Sequence, residues 1–192
     1  MANADTPFGL RPVSMLDGSP YSASVRVFST ASGDATAIYL GDPVILSGTV
    51  STVNGRDYPD VDQAATGNVI AGVVVGVIPE TDASTIYRAA STTRLLMVET
   101  GADVLFEIQD VSGGTALTTA AIGLNCDFVV AAGSTTTGQS GVELNNATEA
   151  TTNTLDLQIV DFVPRADNAA GEHGKWLVRI NRSQWANQVA GI

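Results

Sequence analysis

The chain has 192 residues, enough for one sizeable domain that buries roughly 70% of its unfolded surface. Its net charge of -11, with Lys175 as the sole lysine, argues against nucleic acid or anionic membrane as a partner, because a phosphate backbone is held by clusters of Lys and Arg. Aromatics at 6% leave a core of Val, Ile, Leu and Ala, and one cysteine, Cys126, excludes an internal disulfide framework and any CxxC motif.

Residues 1–13 (MANADTPFGLRPV) have neither helical nor strand periodicity, and Pro7 and Pro12 keep the backbone extended. They read as an arm able to reach roughly 43 to 47 Å. Phe8 and Leu10 are its apolar anchors, and Phe8, Leu10 and Arg11 are the expected contacts with a neighbouring subunit. No charged stretch followed by an apolar one marks an export signal.

Ser22 to Ser29 alternates as a strand, and Pro43 opens another that continues past Gly48 to Val53. Asn54-Gly55 is the strongest hairpin signal in the chain. The acidic stretch Asp57 to Gly67 is expected to be an exposed loop. Val69 to Ile78 is an apolar run suited to a strand covered on both faces, and too short for the ~20 residues of a membrane span. Gly72 and Gly76 within it suggest close strand approach or a bulge. A short strand is expected at Ile86 to Ala90.

Leu95 to Val98, a break at Gly101-Ala102-Asp103, and the alternating Val104 to Gln109 predict a central antiparallel hairpin. Thr118 to Gly123 is a loop or one helical turn. Cys126 to Ala131 reads as a strand with a buried thiol, and Gly133 to Gly141 as a flexible polar loop. The alternation from Leu155 changes phase at Ile159 and Val160, which predicts a β-bulge. Trp176, Val178 and Ile180 form one face of a last strand, with Trp176 in the core and Trp185 on a tail at a subunit contact. The whole is an all-β fold, a small antiparallel β-barrel or sandwich with an extended N-terminal arm: 1–13 arm, 14–181 single domain, 182–192 tail.

No catalytic, cofactor or metal residues are assigned. His173 is the one histidine, in a polar GEHGK loop, and forms no relay. Gly138-Gln-Ser140-Gly141 lacks the G-x-S-x-G spacing. Asp57, Asp60 and Asp62 match no calcium loop. Glu99 and Glu107 read as the wet face of a sheet rather than an acid and base pair.

Several segments, taken together, have a likeness: Ala2 to Val13, Gly41-Asp42-Pro43, Tyr87 to Ser91 (YRAAS), Val104 to Gln109 (VLFEIQ), Gly133 to Leu144 (GSTTTGQSGVEL) and Lys175 to Asn181 (KWLVRIN). Over nearly its whole length the chain resembles a family of small head proteins of tailed bacteriophages, the cement or decoration proteins of the capsid. The resemblance implies a β-rich module, typically a homotrimer, made in the host cytoplasm. It would sit on the outer surface of the virion, clamping major capsid protein subunits together without enzymatic activity or cofactor. The rival expectation is a carbohydrate- or host-binding module of fibre or adhesin type using the Gly133 to Gly141 loop. A β-fold hydrolase is the third, for which no acid or base can be named.

Overall fold

The computed structural model describes residues 3–186. Their regular structure is strand apart from a single 3-10 turn, Thr119–Ala121, which settles the Thr118 to Gly123 segment as a turn capped by the Thr118 hydroxyl. In chain order the first strands are β1 (Arg11–Met15), β2 (Val25–Phe28), β3 (Pro43–Val53), β4 (Arg56–Gln63), β5 (Gly72–Val77) and β6 (Leu96–Glu99). There follow β7 (Val104–Gln109), β8 (Asn125–Cys126), β9 (Phe128–Val129), β10 (Glu143–Leu144), β11 (Leu157–Phe162) and β12 (Lys175–Ile180). They form two five-stranded antiparallel sheets, ordered β2-β6-β5-β3-β4 and β1-β7-β12-β11-β8, with β9 and β10 as a separate pair.

The first sheet grows from the Asn54-Gly55 turn, where both residues take positive φ (52° and 77°), the geometry that matches the twist of paired strands. β4 therefore returns along β3, from Val53 opposite Arg56 to Val44 opposite Gln63. The exposed-loop expectation for Asp57 to Gly67 is corrected: most of the segment is strand. Asp60 is buried within it because the hydroxyls of Ser29 (2.5 Å), Thr49 (2.8 Å) and Ser51 (3.0 Å) donate to its carboxylate in place of water.

β2 and β4, the outer strands, meet at a parallel bridge between Ser29 and Asp60, so the sheet rolls into a nearly closed barrel. Phe28, Ile38, Val44, Val61, Val74, Leu96 and Val98 fill it. Val73 points the other way, into a second core, so β5 is covered on both faces as its unbroken apolar run requires. Gly72 lies too close to the Glu99 backbone for a Cβ, and the β5–β6 register shifts between Val74 and Gly76.

The second core fills the space between the barrel wall and the second sheet. Leu10, Phe106, Ile108, Phe128, Leu157, Ile159, Trp176 and Val178 are all fully buried there. Each such side chain contributes roughly 1.5–3 kcal/mol. Trp176 is core, packed edge-on to Phe162 at 4.9 Å. The β11–β12 register shifts between Ile159 and Asp161, so Val160 is the bulged residue.

Three expectations give way. The central hairpin does not form: β6 pairs with β2 and β5, whereas β7 pairs with β1 and β12. Both edges of each strand are already taken, and Thr100 to Asp103 is a crossing between sheets. Ile86 to Ala90 is not a strand; Arg88 alone bridges to Ile38. Cys126 to Ala131 splits at Asp127, with Cys126 in β8 of the second sheet and Phe128 in β9 beside β10.

Candidate functional site

The N-terminal segment is extended, but it is laid along its own body. Asn3 exchanges hydrogen bonds with the Ala169 and Glu172 backbone, its amide donating to both carbonyls (2.8 and 2.9 Å). The Leu10 amide donates to the Gly41 carbonyl (2.9 Å), and β1 then pairs with β7, which places the expected arm boundary at Val13 inside a strand. Gly9, at φ 71°, sits so close to Gly41 and Ser140 that a Cβ would lie 2.6 Å from each. Only glycine allows that passage.

Leu10 is thereby corrected as an interface residue: it is fully buried in the chain's own core and unavailable to a neighbour. Phe8 remains partly exposed, with the Arg11 guanidinium 4.7 Å from its ring centre. Arg11 also bonds Glu107 at 2.7 Å, and Arg165 approaches the same carboxylate at 2.9 Å. Glu107 and Glu99 are both buried, not a wet face. Glu99 accepts from the Tyr21 hydroxyl (2.6 Å) and the Ser24 and Gly101 amides (2.8 Å each). β7 consequently has no exposed side, because the N-terminal segment covers the polar one.

Next to this lies a polar cluster invisible in the sequence. The Gln109 side-chain nitrogen points at Asp5 Oδ1 (3.1 Å), Glu143 Oε1 (2.9 Å) and His173 Nδ1 (3.3 Å), while Gln109 Oε1 accepts from the Thr6 amide (3.1 Å). The ligand atoms of Asp5, Glu143 and His173 lie within 4.8 Å of one another, as metal ligands do. The amide nitrogen of Gln109 fills the centre of that set, and the Thr6 contact fixes its orientation. The cluster is best read as a clasp for the N-terminal segment. His173 is more enclosed than a loop histidine should be, its side chain 16% exposed, and its Nδ1 faces the Gln109 amide and the Asp5 carboxylate. No spacing signals this group, since Asp5, Gln109, Glu143 and His173 are far apart in the chain.

Asp110, one residue further, is fully buried, and neither carboxylate oxygen has a hydrogen-bond partner among the described residues. Burial pushes its pKa up to about 7, against the pull of the Gly174 amide and His173. In the unfolded chain the same carboxyl titrates near about 4. The folded state thus holds a proton that the unfolded state has released, and the stability this contributes is full below the unfolded value and lost as pH rises through the folded one. Burial raises Asp42 and Asp156 to about 6, with the same sign. Urea unfolding is expected to give higher stability at about pH 5 than at about pH 8, and Asp110→Asn to remove on the order of 2–3 kcal/mol of that difference. An unchanged difference would show that Asp110 is ionised in the fold.

The remaining candidates are structural. The buried Ser140 hydroxyl donates to Asp42, which also accepts from the Tyr39 amide (2.8 Å) and Gln63 Nε2 (2.9 Å). The Gly133 to Gly141 segment is docked rather than free: the Leu40 amide donates to the Gly138 carbonyl (2.9 Å), the Ser140 amide donates to the Leu40 carbonyl (2.8 Å), and Gly133 lies under the Tyr39 ring. Asp57, Asp60 and Asp62 do not converge on a common point. Trp185 is 41% exposed but held by its own chain: its indole N–H donates to the Ala71 carbonyl, and the Arg26 guanidinium lies 4.8 Å from its ring. The Ile70 amide donates to the Arg182 carbonyl (2.8 Å) and the Gln184 amide to the Ile70 carbonyl (2.9 Å), so the start of the expected tail belongs to the barrel, and the rest of it, residues 187–192, lies outside the described residues.

These features define an all-β protein in which a barrel and a second sheet share a core and an extended N-terminal segment is fastened across the outside. No family model, no curated protein and no solved structure matches the chain.

Proposed function

We propose that this chain is a capsid cement protein: a module that binds the outer surface of a tailed-phage head, as a homotrimer, and stabilises contacts between major capsid protein subunits. The sequence likeness, spread over six segments from Ala2 to Asn181, supports the class, and the acidic charge suits an outer face turned away from DNA. Many weak contacts repeated on a symmetric lattice would supply the affinity.

The observation that carries the reading is the outward side of β1. The register against β7 shifts between Pro12 and Ser14, so Val13 bulges out at 37% exposed, and Leu16 just beyond the strand is 42% exposed. Two exposed aliphatic side chains, one bulging from an edge strand and one just past its end, offer an apolar contact surface. This replaces a loose arm reaching to a neighbour, because the segment is tied down along its length.

Deleting residues 2–13 would strip the core of Leu10 as well as the contact, so point changes are the better probe. Shells lacking the protein, mixed with the Val13→Asp/Leu16→Asp variant, are expected to show at least about tenfold lower occupancy and reduced resistance to heat, with the variant's own melting unaltered. Full occupancy would remove this surface from the reading. A monomeric mass in solution and on shells would remove the trimer.

A further inference from the structure

We propose that the seam between β2 and β4 is a binding site for an extended, carboxylate-bearing peptide segment of a partner protein. The two strands are joined at one place, where the Ser29 amide donates to the Pro59 carbonyl (3.0 Å) and the Val61 amide to the Ser29 carbonyl (2.9 Å). Before that point they part, and Arg26, Val27, Arg56, Asp57, Tyr58 and Pro59 line a groove of about 340 Å³.

Three features specify the occupant. The first is charge. In a chain with 20 acidic and 9 basic residues, Arg11, Arg88, Arg165 and Arg182 are paired with carboxylates, whereas Arg26 and Arg56 have neither an ion pair nor a hydrogen bond among the described residues. Both unpaired guanidiniums line this one groove. The second is posture. Arg26 is held 4.8 Å over Trp185 and 5.5 Å over Phe28, and Arg56 5.0 Å over Tyr58. A guanidinium held over an aromatic ring without a hydrogen-bond partner keeps its N–H groups free, and their fork matches the two oxygens of a carboxylate. Asp57, the one acid in the groove, is committed to the Thr52 hydroxyl at 2.5 Å.

The third is the backbone. Within the sheet β2 is paired only with β6 and β4 only with β3, so short of the Ser29 bridge both have an unpaired outer edge, that of β4 ending at Pro59, which has no N–H and whose carbonyl accepts from Ser29. Open edges accept an added strand, with main-chain hydrogen bonds giving affinity and side-chain sites giving choice. Val27, 38% exposed, adds an apolar contact between the two arginines. A small anion would use the charge and leave the edges idle; an extended acidic segment uses both.

Trp185 is the reporter, because Arg26 stacks on it. The full chain would be titrated with a capped heptapeptide of alternating valine and glutamate, and with its twin carrying glutamine for glutamate. The glutamate peptide is expected to shift the Trp185 emission and bind at least about tenfold more tightly than the twin, with a similar loss in Arg26→Gln and Arg56→Gln. Arg56→Lys keeps the charge without the fork and is expected to fall between. Equal binding of the twin, no binding at about 1 mM, or displacement by inorganic phosphate as effectively as by free peptide would each overturn the proposal.

Discussion

Replacing Arg88 with methionine is expected to destabilise the fold by about 3–5 kcal/mol, since the carbonyls and the hydroxyl that its guanidinium serves lose their donor and the partly buried Asp34 its counter-charge. The Arg88 guanidinium is fully buried beside the barrel. Nε donates to the Thr92 carbonyl (2.8 Å) and the Thr30 hydroxyl (3.2 Å), Nη2 to the Ala31 carbonyl (2.7 Å), and Nη1 to Asp34 (2.9 Å) and the Thr36 carbonyl. One side chain thus satisfies the backbone of two irregular segments that have no ladder of their own. Methionine keeps most of the volume, so the loss reports the hydrogen bonds and the charge. Arg88→Lys is expected to recover little, because a single ammonium cannot span those acceptors. Urea unfolding with the slope held constant checks both; a loss under about 1 kcal/mol would mean the network is not structural.

The N-terminal passage is the second point of expected large effect. Leu10→Ala opens a cavity in the second core and is expected to cost about 2–5 kcal/mol. Gly9→Ala adds only a methyl group, yet it meets Gly41 and Ser140 at 2.6 Å and must hold φ at 71°. Strain and overpacking together should bring its loss to about 2–4 kcal/mol. A conservative change thereby rivals a truncation. Thermal melting of the two variants side by side tests it, and a stable Gly9→Ala protein would mean that the segment lifts off without consequence for the body.

Much of the framework was legible because it rests on local chemistry. Asn54-Gly55 specifies a turn by backbone geometry alone, Pro43 suits a strand's first residue, and the change of phase at Val160 is a bulge wherever the strand lies. What was not legible depends on distant partners. Thr100 to Asp103 has a hairpin's length, and nothing local says that β6 and β7 already have both edges filled by strands from elsewhere. Asp60 looks solvent-facing until the hydroxyls of Ser29, Thr49 and Ser51 are brought round it. The N-terminal segment lacks periodicity because its fastening is irregular, through Asn3, Thr6 and Arg11 to side chains and carbonyls more than 90 positions away. The clasp on Gln109 and the unpaired arginines of the seam share that cause.

The order of strands in the second sheet sets a timetable for biosynthesis. β1 leaves the ribosome first, but its partner β7 begins at Val104, and the next strand in, β12, begins at Lys175. Until those residues have been translated, β1 has no strand to pair with. The second sheet therefore closes only after the first sheet's strands, all within Val25 to Glu99, are already available, with an apolar edge left open meanwhile to chaperones or to aggregation.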